Sequence, residues 1–276
     1  MTSVRLAKKV VPTLLAAMAG VAAVGCPVAL AAGGASIASA PTVQPGIQYT
    51  GDTSQDAPGN EPSSSGWCSG SGSPVEFWNL SLKQGDEVLV RGTGSADSHF
   101  GIDVYPPGTT DENIDSASLI AGNGGVYLAT GVEFTASESG SYPMIIGPTA
   151  CFPGGPYSFT ENVKHQALLY VSNVVRTSTS KASLPVYVRY PGGSSISDPG
   201  LTVYLYGRWR DYPPVPPTNH VLAHGHPVNG TVKLSFKLPA NLAGKRVPMI
   251  VTAAGTMYQP THEVTLTDIV LPKKTA

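Results

Sequence analysis

Three groups of side chains have types and spacings that could do chemistry. The first is Asn219-His220-Val221-Leu222-Ala223-His224-Gly225-His226. In an extended backbone alternate residues share a face, so His220, His224 and His226 would project together and offer imidazoles to zinc or copper. The alternative is a solvated loop or strand edge, since Pro227 and the prolines between 213 and 217 interrupt a continuous strand. A second group is Asp97 and Asp103 with Asp111, Glu112 and Asp115, hard oxygen donors suited to calcium. Its rival reading is ordinary turn-capping aspartates, because no DxDxDG loop is present. Aromatics form the third group: Trp67, Trp78, Trp209, Tyr204, Tyr206 and Tyr212. Flat rings exposed on a sandwich stack on sugars. Trp78, beside Phe77 in a strand, reads as core, whereas Trp209 and Tyr212 on a proline-flanked loop read as the better contact surface.

Signatures of catalysis are missing, and no catalytic residue is assigned. His262-Glu263-Val264-Thr265-Leu266 begins like a zinc-protease motif but has no second histidine. No serine sits in GxSxG, and the serines between 68 and 73 have no histidine nearby to activate them. Paired carboxylates for glycoside hydrolysis are assembled in space and leave no fixed spacing, so that chemistry stays open. Beyond the candidate calcium and zinc sites no cofactor is expected. The net charge of −1 provides no field for gathering phosphates, which excludes nucleic acid as a partner.

The elements that must position these groups begin after an export signal. Arg5, Lys8 and Lys9 precede an apolar stretch at 10–30, and Ala29-Leu30-Ala31 offers the small residues a signal peptidase reads, giving a targeting segment over 1–31. Two alternatives are a retained membrane span and a lipid anchor on Cys26, whose preceding Ala23-Val24-Gly25 is similar to a lipobox. Only the lipid anchor would make a membrane a partner of the mature chain. Cys68 and Cys151 then remain as an even pair in an oxidising compartment, and a disulfide between them would contribute on the order of 4 kcal/mol. Reactive or metal-binding thiols are the rival, without CxxC spacing or an adjacent histidine.

Residues 32–66 are rich in Ala, Ser, Gly, Thr and Pro and read as a flexible tether. From residue 75 short apolar or alternating runs are punctuated by turns such as Gln84-Gly85-Asp86 and Pro106-Pro107-Gly108. A second series begins near 167, with strands expected at 168–175, 184–190, 201–206, 231–237, 247–252 and 264–270. In 231–237, Val232, Leu234 and Phe236 face one way and Thr231, Lys233, Ser235 and Lys237 the other, the pattern of a half-buried strand. The fold class is therefore all-β, with two consecutive sandwiches over 67–165 and 166–276.

The first series resembles the bacterial pre-peptidase C-terminal domain, a jelly-roll sandwich. The resemblance is carried by 77–82, Gln84-Gly85-Asp86, Asp97 before Gly101-Ile102-Asp103-Val104-Tyr105, Ser139-Gly140-Ser141-Tyr142 and Tyr157-Ser158-Phe159; Pro143 and the cysteine pair depart from it. The second series is similar to bacterial immunoglobulin-like repeats through Leu201-Thr202-Val203-Tyr204-Leu205-Tyr206, Asn229-Gly230-Thr231 and Leu238-Pro239-Ala240-Asn241. These resemblances imply a non-catalytic secreted or cell-surface protein for binding, adhesion or scaffolding, with an extracellular protein or glycan as ligand. A carbohydrate-binding module or a cryptic secreted hydrolase is the alternative.

Overall fold

The computed structural model describes residues 28–30, 33–56, 60–68, 72–94, 99–123, 129–178, 180–209, 218–237, 248–259 and 264–266. Among these the architecture is two β-sandwiches in series. The first uses β1 (Val28–Leu30), β2 (Thr42–Val43), β3 (Gln48–Asp52), β4 (Glu76–Leu82), β5 (Glu87–Gly94), β6 (Phe100–Val104), β7 (Ala121–Asn123), β8 (Ala129–Thr135), β9 (Gly140–Pro148) and β10 (Pro156–Lys164). Its front sheet runs β1-β3-β10-β5-β8 and its back sheet β2-β4-β9-β6-β7. Alternation along β5 and β10 turns Val88, Val90, Tyr157 and Phe159 inward, where they meet Trp78, Leu80, Ile102 and Met144 of the back sheet.

The second sandwich uses β11 (Leu168–Val171), β12 (Val175–Ser178), β13 (Lys181–Arg189), β14 (Thr202–Trp209), β15 (Thr218–Gly225), β16 (Thr231–Lys237), β17 (Met249–Ala254) and β18 (Val264–Leu266). Strand β13 pairs with β11, β12 and β16, and this sheet faces β15-β14-β17-β18 across a core that includes Leu184, Val186, Val203, Leu205, Leu234 and Val251. The alternation read in β16 is as expected: Val232, Leu234 and Phe236 are buried and the four residues between and beside them exposed. Asn229 and Gly230, both at positive φ, make the tight turn before it.

Residues 33–56 correct the tether expectation, because they are strands and turns of the first sandwich. Strand β3 pairs antiparallel with β10, β2 pairs parallel with β4, and β1, which lies inside the expected targeting segment, pairs parallel with β3. Tyr49 is buried in the core and its ring stacks on Phe159 at 5.4 Å. The reason is pairing: without β3 the long edge of β10 would present unpaired backbone groups to water beside exposed core aromatics. Pro143 does not end its strand. β9 continues through it, opposite Asn79, and its carbonyl accepts the Tyr105 amide beside the end of β6.

A buried carboxylate fastens this N-terminal stretch. Glu76 accepts hydrogen bonds from the Tyr157 hydroxyl (2.5 Å), the Gly33 amide and the Asp52 amide (3.3 Å), and Tyr157 Oη in turn accepts from Trp78 Nε1 at 2.9 Å. At the other end of the sandwich a second carboxylate, Asp86, accepts from the Lys83 amide and meets His165 Nδ1, each at 2.8 Å. His165 also lies between sandwiches: its amide and carbonyl bond Met257 and Gln259, its ring contacts Tyr190 and Tyr258, and Gln259 Nε2 donates to Gly85 and Lys164 carbonyls.

Replacing Glu76 by Ala would strand the Gly33 amide and the Tyr157 hydroxyl proton, at a cost of about 2–4 kcal/mol. Denaturant unfolding of Glu76→Ala beside Tyr157→Phe is expected to show the larger loss for Glu76→Ala. An unchanged midpoint for Glu76→Ala contradicts the fastening role.

Candidate functional site

The two outer faces of the first sandwich differ. The back sheet's is sealed, because Trp67, Val75, Phe77, Tyr105, Ile114 and Ile145 form a second core under the segments around residues 60–67 and 105–117, leaving 142–148 of β9 buried on both faces. The front sheet's outer face is open. Alternation sends Arg91 and Thr93 of β5 and Ser158 and Thr160 of β10 outward. Register then aligns Gln48, Thr160, Arg91 and Gly131 in one row across four strands, with Thr50, Ser158, Thr93 and Ala129 in the next. The result is a groove of about 430 Å³ lined by Gln48, Arg91, Thr93, Gly131, Ser158 and Thr160 over Gly92 and Phe159. Gly131 has no side chain to cover the Arg91 stem, which opens the row at its β8 end.

Polar capacity in this groove is unspent. Thr93 and Ser158 hydroxyls bond one another at 2.9 Å. Among the described residues the side chains of Arg91, Gln48 and Thr160 make no hydrogen bond or ion pair, so a guanidinium fork, an amide and a hydroxyl face the groove together. None of these residues stood out in the sequence. The signal was there in Glu87-Val88-Leu89-Val90-Arg91-Gly92-Thr93, whose outward positions follow from the alternation, but Gln48 lay in the stretch read as tether.

The acidic residues considered for calcium are not brought together. Asp97 lies outside the described residues. Asp111 accepts the Ile37 and Ala38 amides (2.7 and 3.2 Å), and Asp115 accepts the amide and hydroxyl of Ser63 (2.7 and 3.0 Å), so both cap backbone from distant segments. Glu112 is exposed, and Asp103 is buried apart from them with Oδ2 unpartnered. Among the described residues no three His, Cys, Asp or Glu side chains are grouped to hold a metal.

The histidine expectation is corrected by a bulge. Register between β14 and β15 shifts between Leu205 and Tyr206, so His224 pairs with Tyr204 on the outer face whereas His220 pairs with Gly207, whose neighbours Val203 and Leu205 point into the core. His226 lies beyond the strand, its Nδ1 at 3.0 Å from the Leu201 carbonyl. The three rings therefore do not share one face. On the outer side Tyr204 stacks with Tyr206 at 6.0 Å and contacts His224. Trp209 ends β14 opposite Thr218, and Tyr212, like Cys26, lies outside the described residues. Trp67 and Trp78 are buried. Cys68 and Cys151 are bonded, with Cα atoms 4.9 Å apart, closing 83 positions of chain.

Three carboxyls hold their protons unusually tightly. Burial, then the Asp86 charge, pushes Glu161 up to about 8; burial, then Glu61, pushes Asp103 up to about 7; burial, then Glu76, pushes Asp56 up to about 6. Glu161 lies in the inward row of β10 with Oε1 unpartnered, as suits a neutral acid in a core. Each folded value is raised, so this contribution to stability is fully present below about pH 4 and is lost as pH rises through 6 to 8. Melting temperature is thus expected to be higher near pH 5 than near pH 8.5, and Glu161→Gln to remove much of the difference by stabilising the alkaline condition. A wild-type melting temperature that rises toward pH 8.5 contradicts the assignment.

No protein-family model matches this chain, and no curated protein does. Among solved structures it is similar to a periplasmic inhibitor of g-type lysozyme from Aeromonas hydrophila (15% identity, TM-score 0.32, 50% of this chain and 100% of that one). It is also similar to the endo-D glycoside hydrolase domain of Streptococcus pneumoniae (11%, TM-score 0.25, 80% and 33%) and to a β-glycosidase of Bacteroides vulgatus (8%, TM-score 0.24, 72% and 26%). The chain spans a third or less of the two glycosidases.

Proposed function

We propose that this chain is a non-catalytic extracytoplasmic binding module whose first sandwich takes a small glycan in the open groove of its front sheet. The observation that carries this reading is the row Gln48, Thr160, Arg91, in which an amide, a hydroxyl and a guanidinium face a cleft of ligand size with their hydrogen-bonding capacity unspent. Sugar hydroxyls accept and donate as these groups require, and an acidic sugar would add a bidentate contact to Arg91. Two buried carboxylates of this sandwich are engaged elsewhere, Glu76 with Gly33, Asp52 and Tyr157 and Asp86 with Lys83 and His165, while exposed Glu133 of β8 lies one row from the groove on the same outer face. Placement outside the cytoplasm rests on the Cys68–Cys151 disulfide together with the basic and apolar start of the chain. Among the described residues no helix is long and apolar enough to cross a membrane.

A glycan array followed by calorimetry on the best hit tests the reading. Arg91→Ala, on an exposed strand position, is expected to weaken binding about tenfold or more, in line with loss of a charge-assisted contact, while leaving the melting temperature within about 1 °C. Thr160→Val should weaken it less. Binding that is indifferent to both substitutions contradicts the groove as the site.

A further inference from the structure

Charge is divided unequally between the two sandwiches, although the chain as a whole is nearly neutral. Residues 1–165 carry 14 Asp and Glu against 6 Lys and Arg, whereas residues 166–276 carry 11 Lys and Arg against 4 Asp and Glu. The excess in the second sandwich is concentrated. Strands β11, β12, β13 and β16 contain no acidic residue at all. Alternation places Lys181 and Arg189 of β13 and Lys233 and Lys237 of β16 on the outer face of that sheet, where all four are exposed, with Lys181 beside Lys237 and Pro185 beside Lys233 in the register. Between the cations lie two exposed rings: Tyr170 and Tyr187 stand directly opposite one another, 53% and 42% exposed. Paired exposed tyrosines with Arg189 beside them and Lys233 one row away, on strands without an acidic side chain, are not what a solvated sheet face needs.

From this juxtaposition we infer that the outer face of the β11, β12, β13 and β16 sheet docks an extended acidic polysaccharide. The shape of the charge selects a polymer: Lys181 and Arg189 are eight steps apart on one strand, about 26 Å, so the cations form a stripe rather than a pocket for one anion. The sign selects a polyanion, and the tyrosines supply flat apolar surface against which sugar rings lie while carboxylates reach the neighbouring ammonium groups. The extracytoplasmic placement proposed above, which the disulfide supports, would set the protein among charged polysaccharides rather than nucleic acids as the abundant polyanions. This face is distinct from the Arg91 groove and does not depend on it.

Affinity gel electrophoresis of the full chain through polygalacturonate, neutral dextran and a single-stranded DNA oligonucleotide tests the inference. Retardation by polygalacturonate alone is expected, falling steeply as salt rises from low to physiological strength. Lys181→Glu with Lys233→Glu should reduce it about tenfold or more, and Tyr170→Ala with Tyr187→Ala should also weaken it, each by more than Arg91→Ala does. Lys181→Gln with Lys233→Gln, a milder change, guards against misfolding, with melting temperature as the check. Absence of retardation, retardation that survives charge reversal, or equal retention by DNA overturns the assignment. So does self-association abolished by the same charge reversal, which would make the acidic sandwich of a second copy the occupant.

Discussion

The fold of the first sandwich depends on the burial of one carboxylate, Glu76. A carboxylate removed from water is tolerated only when donors replace its hydration, and here those donors are the Tyr157 hydroxyl and the amides of Gly33 and Asp52. The need runs both ways. Glu76 requires the stretch around residues 33–52, and that stretch, short of large apolar residues apart from Ile37, Val43, Ile47 and Tyr49, requires Glu76 and the edge of β10 to hold it. Once β3 is fixed, Gln48 becomes a wall of the front-sheet groove. The Trp78–Tyr157–Glu76 chain ties the same fastening to the centre of the core, where Trp78, Tyr49 and Phe159 contact one another edge to face or stacked.

Asp86 plays the corresponding part where the sandwiches meet. It is fully buried, caps the turn before β5, and meets His165, whose backbone bonds the loop around Tyr258. Gln259 reaches back to Gly85, and the Tyr258 hydroxyl donates to Asp198 at 2.9 Å. Acidic groups in the first sandwich thus act mostly as internal fasteners: Glu61 gathers the amides of Trp67, Cys68 and Ser73 beside the disulfide. In the second, Lys181, Arg189, Arg208, Lys233 and Lys237 lie exposed on its surface. The two halves use charge for different purposes, one for holding backbone and the other for presenting a face to solvent.

Local alternation was readable from the chain. Strands such as β4, β5 and β16, the disulfide between Cys68 and Cys151 and the all-β sandwich class follow from period-two patterns, turn residues and cysteine arithmetic. What was hidden is non-local. β2 and β3 are too short and too polar to announce themselves, and their partners lie far along the chain in β4 and β10. His220 and His224 appeared to share a face because alternation was counted without the bulge opposite Leu205 and Tyr206, a feature fixed by pairing with β14. Asp111 and Asp115 looked like calcium ligands because their true partners, at 37, 38 and 63, were unknown until the chain folded back.

Hydrogen exchange at Gln48–Asp52 is the most direct measure of whether the N-terminal stretch is part of the binding scaffold. Its amides are predicted to exchange as slowly as those of neighbouring β10 in the wild type and to lose that protection selectively in Glu76→Gln. Exchange at the rate of an unstructured peptide in the wild type would contradict the account, because the Gln48 wall of the groove would then not exist.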